Sequence, residues 1–107
     1  MARVKYHPSL FIGQDDTTCY AKDLKEKSKH CSKSGIINRH EIFYGRSYRD
    51  KSKKYGLWVC LCYECHEKVH FGKDHSLDIK LKQEGQKRFE EVHSHELFMQ
   101  EFDKNRL

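Results

Sequence analysis

Apolar and polar residues change their spacing along the chain, and each change marks an element. Ile36-Ile37-Asn38-Arg39-His40-Glu41-Ile42-Phe43-Tyr44 is rich in branched and aromatic side chains and predicts a strand. Leu57-Trp58-Val59-Cys60-Leu61 predicts a second. The stretch between them, bounded by Gly45 and Gly56, is polar and reads as a loop. Tyr63 to Phe71 lacks Gly and Pro and predicts a helix that Gly72 ends. From Ser76, a plausible N-cap, Leu77, Leu81, Phe89 and Val92 follow a helical stripe with Gly85 as its weak point. Leu97, Phe98 and Phe102 predict a second short helix, with Met99 in the core. Residues 1–30 are polar and irregular, and only Asp23 to Lys29 reads as a short exposed helix. Trp58 and Tyr55 read as core anchors of the second strand.

Composition narrows the class. The 107 residues are 36% hydrophobic and 35% charged, thin material for a core. A chain so small and polar often needs a metal, a cross-link or a partner to hold one structure. The longest apolar run, Leu57 to Tyr63, is far short of the ~20 residues of a membrane span. Thirteen aromatic residues argue against disorder. No apolar stretch of signal-peptide length follows the basic start, so a cytoplasmic location is expected. In a reducing compartment the five cysteines read as metal ligands rather than disulfides.

The net charge of +5 is uneven. Residues 1–75 carry 15 basic and 9 acidic side chains, whereas residues 76–107 are close to neutral. The densest basic run is Arg46-Ser47-Tyr48-Arg49-Asp50-Lys51-Ser52-Lys53-Lys54. Arg46, Arg49, Lys51, Lys53 and Lys54 suit a phosphate backbone, with Tyr48 placed to contact nucleic acid. For an isolated run a solvated surface loop is the better reading, and what shifts it towards a nucleic-acid partner is where the run sits relative to the histidines.

His66 and His70 are four apart on a predicted helix, a spacing that puts both imidazoles on one face. Cys62-x-x-Cys65 directly precedes them, with zinc-knuckle spacing, and His40 lies on the strand before the basic run. For a structural zinc the candidates for the remaining ligands are Cys31 and, as the fourth, Cys19, Cys60 or His30, Cys60 being the least convincing. Against this, the cysteines could be small core residues. His7, His30, His75, His93 and His95 read as surface residues.

The order strand, loop, strand, helix, with a histidine on the first strand and two on the helix, resembles the HNH (ββα-metal) nuclease family. Arg39-His40-Glu41-Ile42-Phe43-Tyr44-Gly45, Arg49, Ser52, Tyr55-Gly56-Leu57, Leu61-Cys62-x-x-Cys65-His66 and His70 look like the small HNH proteins of bacteriophages and prophages. So do Gly85-Gln86, Phe89, Phe98 and Phe102-Asp103-Lys104-Asn105 in the tail. The likeness covers about Cys31 to Leu107.

The resemblance implies an α+β fold: a ββα-metal core over 31–75, C-terminal helices over 76–107 packed on it, and a polar extension over 1–30, all one domain. It implies a metal-dependent DNA endonuclease or nickase leaving 5′-phosphate and 3′-hydroxyl ends. His66 and His70 would hold one divalent cation, Mg²⁺, Mn²⁺, Ni²⁺ or Zn²⁺. Either His40 is the third ligand and Glu41 the general base, or His40 is the base and Glu41 or water completes the metal shell. Arg49 matches the family's arginine and would stabilise developing charge. The family's central asparagine has no clear counterpart between Gly45 and Cys65, and the second cysteine pair is reduced to Cys31-Ser32-Lys33-Ser34. The competing expectations are a non-catalytic zinc-knuckle nucleic-acid-binding module, and an accessory protein acting with a phage packaging or recombination partner.

Overall fold

Ile37–Glu41 (β1) and Trp58–Cys62 (β2) pair antiparallel, with Arg39 opposite Cys60, His40 opposite Val59 and Glu41 opposite Trp58. The computed structural model describes residues 5–11, 13 and 15–107, so the reading of the chain's first four residues lies outside the described part. Side chains alternate faces along a strand. His40 and Val59 therefore share one face of the hairpin, while Arg39, Glu41, Trp58 and Cys60 share the other. Every residue of β2 is buried, so both faces are covered.

Among the described residues of this α+β chain are four α-helices: Arg49–Lys54 (α1), Tyr63–Phe71 (α2), Ser76–Val92 (α3) and His95–Phe102 (α4). The core gathers Ile42, Phe43, Leu57, Val59 and Leu61 from the hairpin region with Val69, Leu77, Leu81, Phe89, Phe98 and Phe102 from the helices. Gly85, the weak point of the stripe, is where α3 rests on the strand end. A Cβ there would stand 3.1 Å from Ile42 Cγ2, so the missing side chain allows the approach. No helix among the described residues is long and apolar enough to cross a membrane.

Four local expectations are corrected. The basic run is not all loop, because Arg49–Lys54 coil into α1. Ser52, fully buried on that helix, donates to Phe43 O at 2.7 Å and accepts from Phe43 N at 3.0 Å, which pins α1 to the end of β1. Asp23 to Lys29 does not form a helix. A single 3₁₀ turn, Tyr20–Asp23, precedes it, and the following backbone is spent elsewhere. Lys68 Nζ donates to the carbonyls of Glu26 (2.7 Å) and Lys27 (3.4 Å), and Ser28 N donates to Cys65 Sγ (3.4 Å). Val92 is 62% exposed, and it is His93 whose ring packs on Phe89 at 4.7 Å. Ser76 is the first residue of α3 rather than its cap, and its N–H donates to Asp74 Oδ1 at 2.9 Å.

The polar N-terminal stretch also contributes to the core, through Phe11, Cys19 and Ala21. Residues 5–11 cross the outer face as a strap, held by His7 N to Lys53 O (2.9 Å) and Leu10 N to Gly56 O (2.8 Å).

Ser52→Ala is expected to lower stability by about 1–3 kcal/mol, because it leaves the Phe43 N–H and carbonyl without their buried partner. Urea unfolding checks this. A loss near zero would mean that α1 is held chiefly by other contacts.

Candidate metal centres

β1 and α2 bring three imidazoles together. One ring nitrogen each from His40, His66 and His70 lies within 4.8 Å of the others. His66 and His70 share a face of α2 because they are one turn apart, and their Nε2 atoms are 3.1 Å apart. The His40 ring centroid is 5.2 Å from both. Two nitrogens bound at about 2.1 Å to a shared ion sit roughly 3.0–3.4 Å apart, so the spacing fits one cation. His40 is almost wholly buried, and its Nε2 has no hydrogen-bond partner among the described residues. An unpaired buried polar atom is costly, and a shared ion would satisfy it.

Burial holds the pKa of His40 well below the ordinary histidine value, with the His66 and His70 imidazoles adding to the effect. Burial first, then the His70 imidazole, lowers His66. Burial, then Arg49, lowers His70. All three are thus neutral at pH 7, the form that binds metal. The unfolded chain takes up protons near the ordinary histidine value of 6.5, whereas the folded rings resist them. The three rings therefore stabilise the fold fully above that pH, and the contribution is lost as pH falls below it. Urea midpoints should drop between pH 7 and 5, and His40→Phe should flatten that slope. An unchanged slope would mean His40 does not titrate on unfolding.

Four thiols form the second group. Cys19, Cys31, Cys62 and Cys65 place their sulfurs within 4.8 Å of one another. Cys62 and Cys31 are 3.8 Å apart, the separation expected of sulfurs about 2.3 Å from one tetrahedral ion. Cys62 caps α2, and its sulfur accepts from Cys65 N at 3.4 Å. The Cys65 thiol, donating to Cys19, pushes the Cys19 pKa down to about 5 and is itself pushed up. Cys60, buried on β2, lies 3.4 Å from Asp16 Oδ1 and is outside the group, as is exposed His30.

Both groups could hold a metal ion. Family models, curated proteins and solved structures offer no match to this chain.

The other expected site residues divide. Glu41 is outside the histidine group but close enough for its charge to act on His66 and His70. Its Oε1 meets Arg49 Nη1 at 3.1 Å. Arg46 and Lys54 are exposed. Lys53 lies 5.3 Å over the Tyr6 ring. Lys51 is engaged with α4, through Glu101 O at 2.9 Å and Glu101 Oε2 at 3.3 Å. The Tyr48 hydroxyl donates to Asp103 at 2.8 Å. Part of the basic run thus fastens the C-terminal helix rather than facing solvent. His7, His30, His75, His93 and His95 are all exposed. Two neighbours of the site went unread in the sequence. Tyr44 stands 4.7 Å from the His70 ring and donates to Asp78 at 3.0 Å. Tyr6 donates to Glu41 at 2.6 Å. No spacing signal links Tyr6 to position 41, since the two are 35 residues apart.

Proposed function

We propose that the chain is a metal-dependent endonuclease or nickase of the HNH type, acting on DNA through a ββα-metal core built by β1, β2 and α2. The observation that carries this reading is the buried, partnerless His40 Nε2 beside two imidazoles on the facing helix. A pure binding module gains nothing from such a set.

His40, His66 and His70 would hold a divalent cation, Mg²⁺, Mn²⁺, Ni²⁺ or Zn²⁺. When bound, that cation supplies charge stabilisation at the phosphate and at the leaving 3′ oxygen. His40 belongs to the three-imidazole group and Glu41 does not, which favours His40 as ligand and Glu41 as base. Glu41 takes a proton from water as the water oxygen bonds to phosphorus. The bond from phosphorus to the 3′ oxygen breaks, and that oxygen leaves as a hydroxyl after taking a proton from solvent. Arg49, beside Glu41, offers positive charge to the phosphorane-like transition state. Arg46 and Lys54 extend a cationic rim for the backbone. Cys19, Cys31, Cys62 and Cys65 would hold a structural Zn²⁺.

The alternative, a zinc-knuckle module that binds nucleic acid without cutting it, is favoured by one feature. Lys25, Lys27 and Lys29 line an open cavity beside the loop that reaches Cys31, together with Glu26 and an Asp74–Lys68 pair 3.4 Å apart. Incubating the protein with supercoiled plasmid and each cation separates the readings. Nicked or linear product supports the nuclease. Salt-sensitive binding with no product under any cation supports the binder.

A further inference from the structure

Both oxygens of the Glu41 carboxylate are occupied by donors from different parts of the chain. Arg49 Nη1 meets Oε1 at 3.1 Å, and the Tyr6 hydroxyl meets Oε2 at 2.6 Å. Arg49 comes from the neighbouring helix. Tyr6 comes from the strap, and its placement is heavily determined. Its ring stands edge-on to Trp58 with centroids 5.4 Å apart. The Arg39 guanidinium lies 4.6 Å from the Tyr6 centroid and 4.5 Å from that of Trp58, so it tightens the pair.

The strap backbone is fixed as well. Trp58 Nε1 donates to His7 O at 2.6 Å, and Ser9 Oγ donates to Trp58 O at 2.6 Å. The strap crosses at Gly56, which has a φ of +70°. A Cβ at that position would collide with the Pro8 carbonyl oxygen. Position 56 therefore needs glycine twice over, for its backbone and for the crossing chain.

We propose that Tyr6 is a positioning residue for Glu41, fixing the plane of the carboxylate that takes the proton from water. This rests on the nuclease reading above. A carboxylate anchored through one oxygen can still swing about that contact. Anchors on both oxygens remove the swing. Each oxygen can accept two hydrogen bonds, so each keeps a lone pair for water. Burial and the hydrogen bond to Glu41 push the Tyr6 pKa up to about 12, so the hydroxyl remains a donor at neutral pH. Tyr6 touches neither the substrate nor the histidine group in this scheme. It acts through Glu41.

The test is a double-mutant cycle on the full chain: wild type, Tyr6→Phe, Glu41→Gln and the double variant. Single-turnover plasmid nicking with Mn²⁺ is measured across DNA concentrations, with thermal melting alongside. Tyr6→Phe keeps the ring against Trp58 and Arg39, so melting should hold. Its rate at saturating DNA should fall about 10- to 100-fold, the scale of a misplaced catalytic group. The DNA concentration giving half the maximal rate should not move. In the Glu41→Gln background, losing the Tyr6 hydroxyl should cost nothing more, because there is no carboxylate left to orient. A packing role would instead subtract from both backgrounds alike. Equal losses in the two backgrounds, or a Tyr6→Phe rate equal to wild type, overturn the proposal and leave the nuclease standing. A wild type that gives no nicked product under any of the cations overturns the nuclease reading and this proposal with it.

Discussion

His66→Ala is expected to reduce plasmid nicking by more than about 100-fold, beyond what changes merely adjacent to metal ligands cause. Two features make His66 the best residue for this test. It is only half-buried, so truncation leaves no large enclosed cavity, and its Nε2 faces that of His70 at 3.1 Å. The remaining His40 and His70 should hold a cation weakly. Part of the lost rate should therefore return as the cation concentration rises, while DNA binding and thermal melting stay put. Recovery by added cation would mark the loss as one of ligation. A variant that nicks at the wild-type rate would remove the nuclease reading, because no other imidazole stands ready: His7, His30, His75, His93 and His95 are all exposed and outside the group.

Cys65→Ser is expected to abolish the cooperative fold. Cys65 is fully buried in the first turn of α2, where its sulfur also receives the Ser28 N–H. It gathers segments distant in sequence: Cys19 beside the 3₁₀ turn, Cys31 before the hairpin, and Cys62 at the end of β2. Structural zinc in small peptides contributes about 10–16 kcal/mol of apparent binding free energy, comparable with the whole 5–15 kcal/mol stability of a typical domain. Wild type should carry one zinc per chain at this site by elemental analysis. Circular dichroism should show loss of the thermal transition in the variant, and a strong chelator should have the same effect on wild type. A melting profile that survives both would show that the thiols are core packing alone.

The hairpin, α2 and the two C-terminal helices were legible because each has a long or dense local signal. β2 is a branched and aromatic run, and α3 repeats buried positions at Leu77, Leu81 and Phe89. The histidines were legible for a related reason. One helical turn places His66 beside His70, and the strand and helix order brings His40 across to them. What was lost is what depends on contacts distant in sequence. α1 is six residues long and buries only Ser52, too short for a hydrophobic period to register. Asp23 to Lys29 has helix-forming residues, but Lys68 and Cys65 claim its backbone groups. Cys19 could be named only among three candidates, because the sequence says nothing of how far the first segment folds back. Gln86 falls outside the apolar stripe of α3 and is nonetheless fully buried. It is held by Glu90, Asn105 and the Arg106 N–H.

The two donor sets are not mechanically separate. Cys62 caps α2, Cys65 lies in its first turn, and His66 and His70 follow within the same nine-residue rod. Loosening the sulfur end would let the rod fray from its start and scatter the imidazoles further along. Under the nuclease proposal, a chelator that strips only the thiol site would then also lower the activity at the histidines.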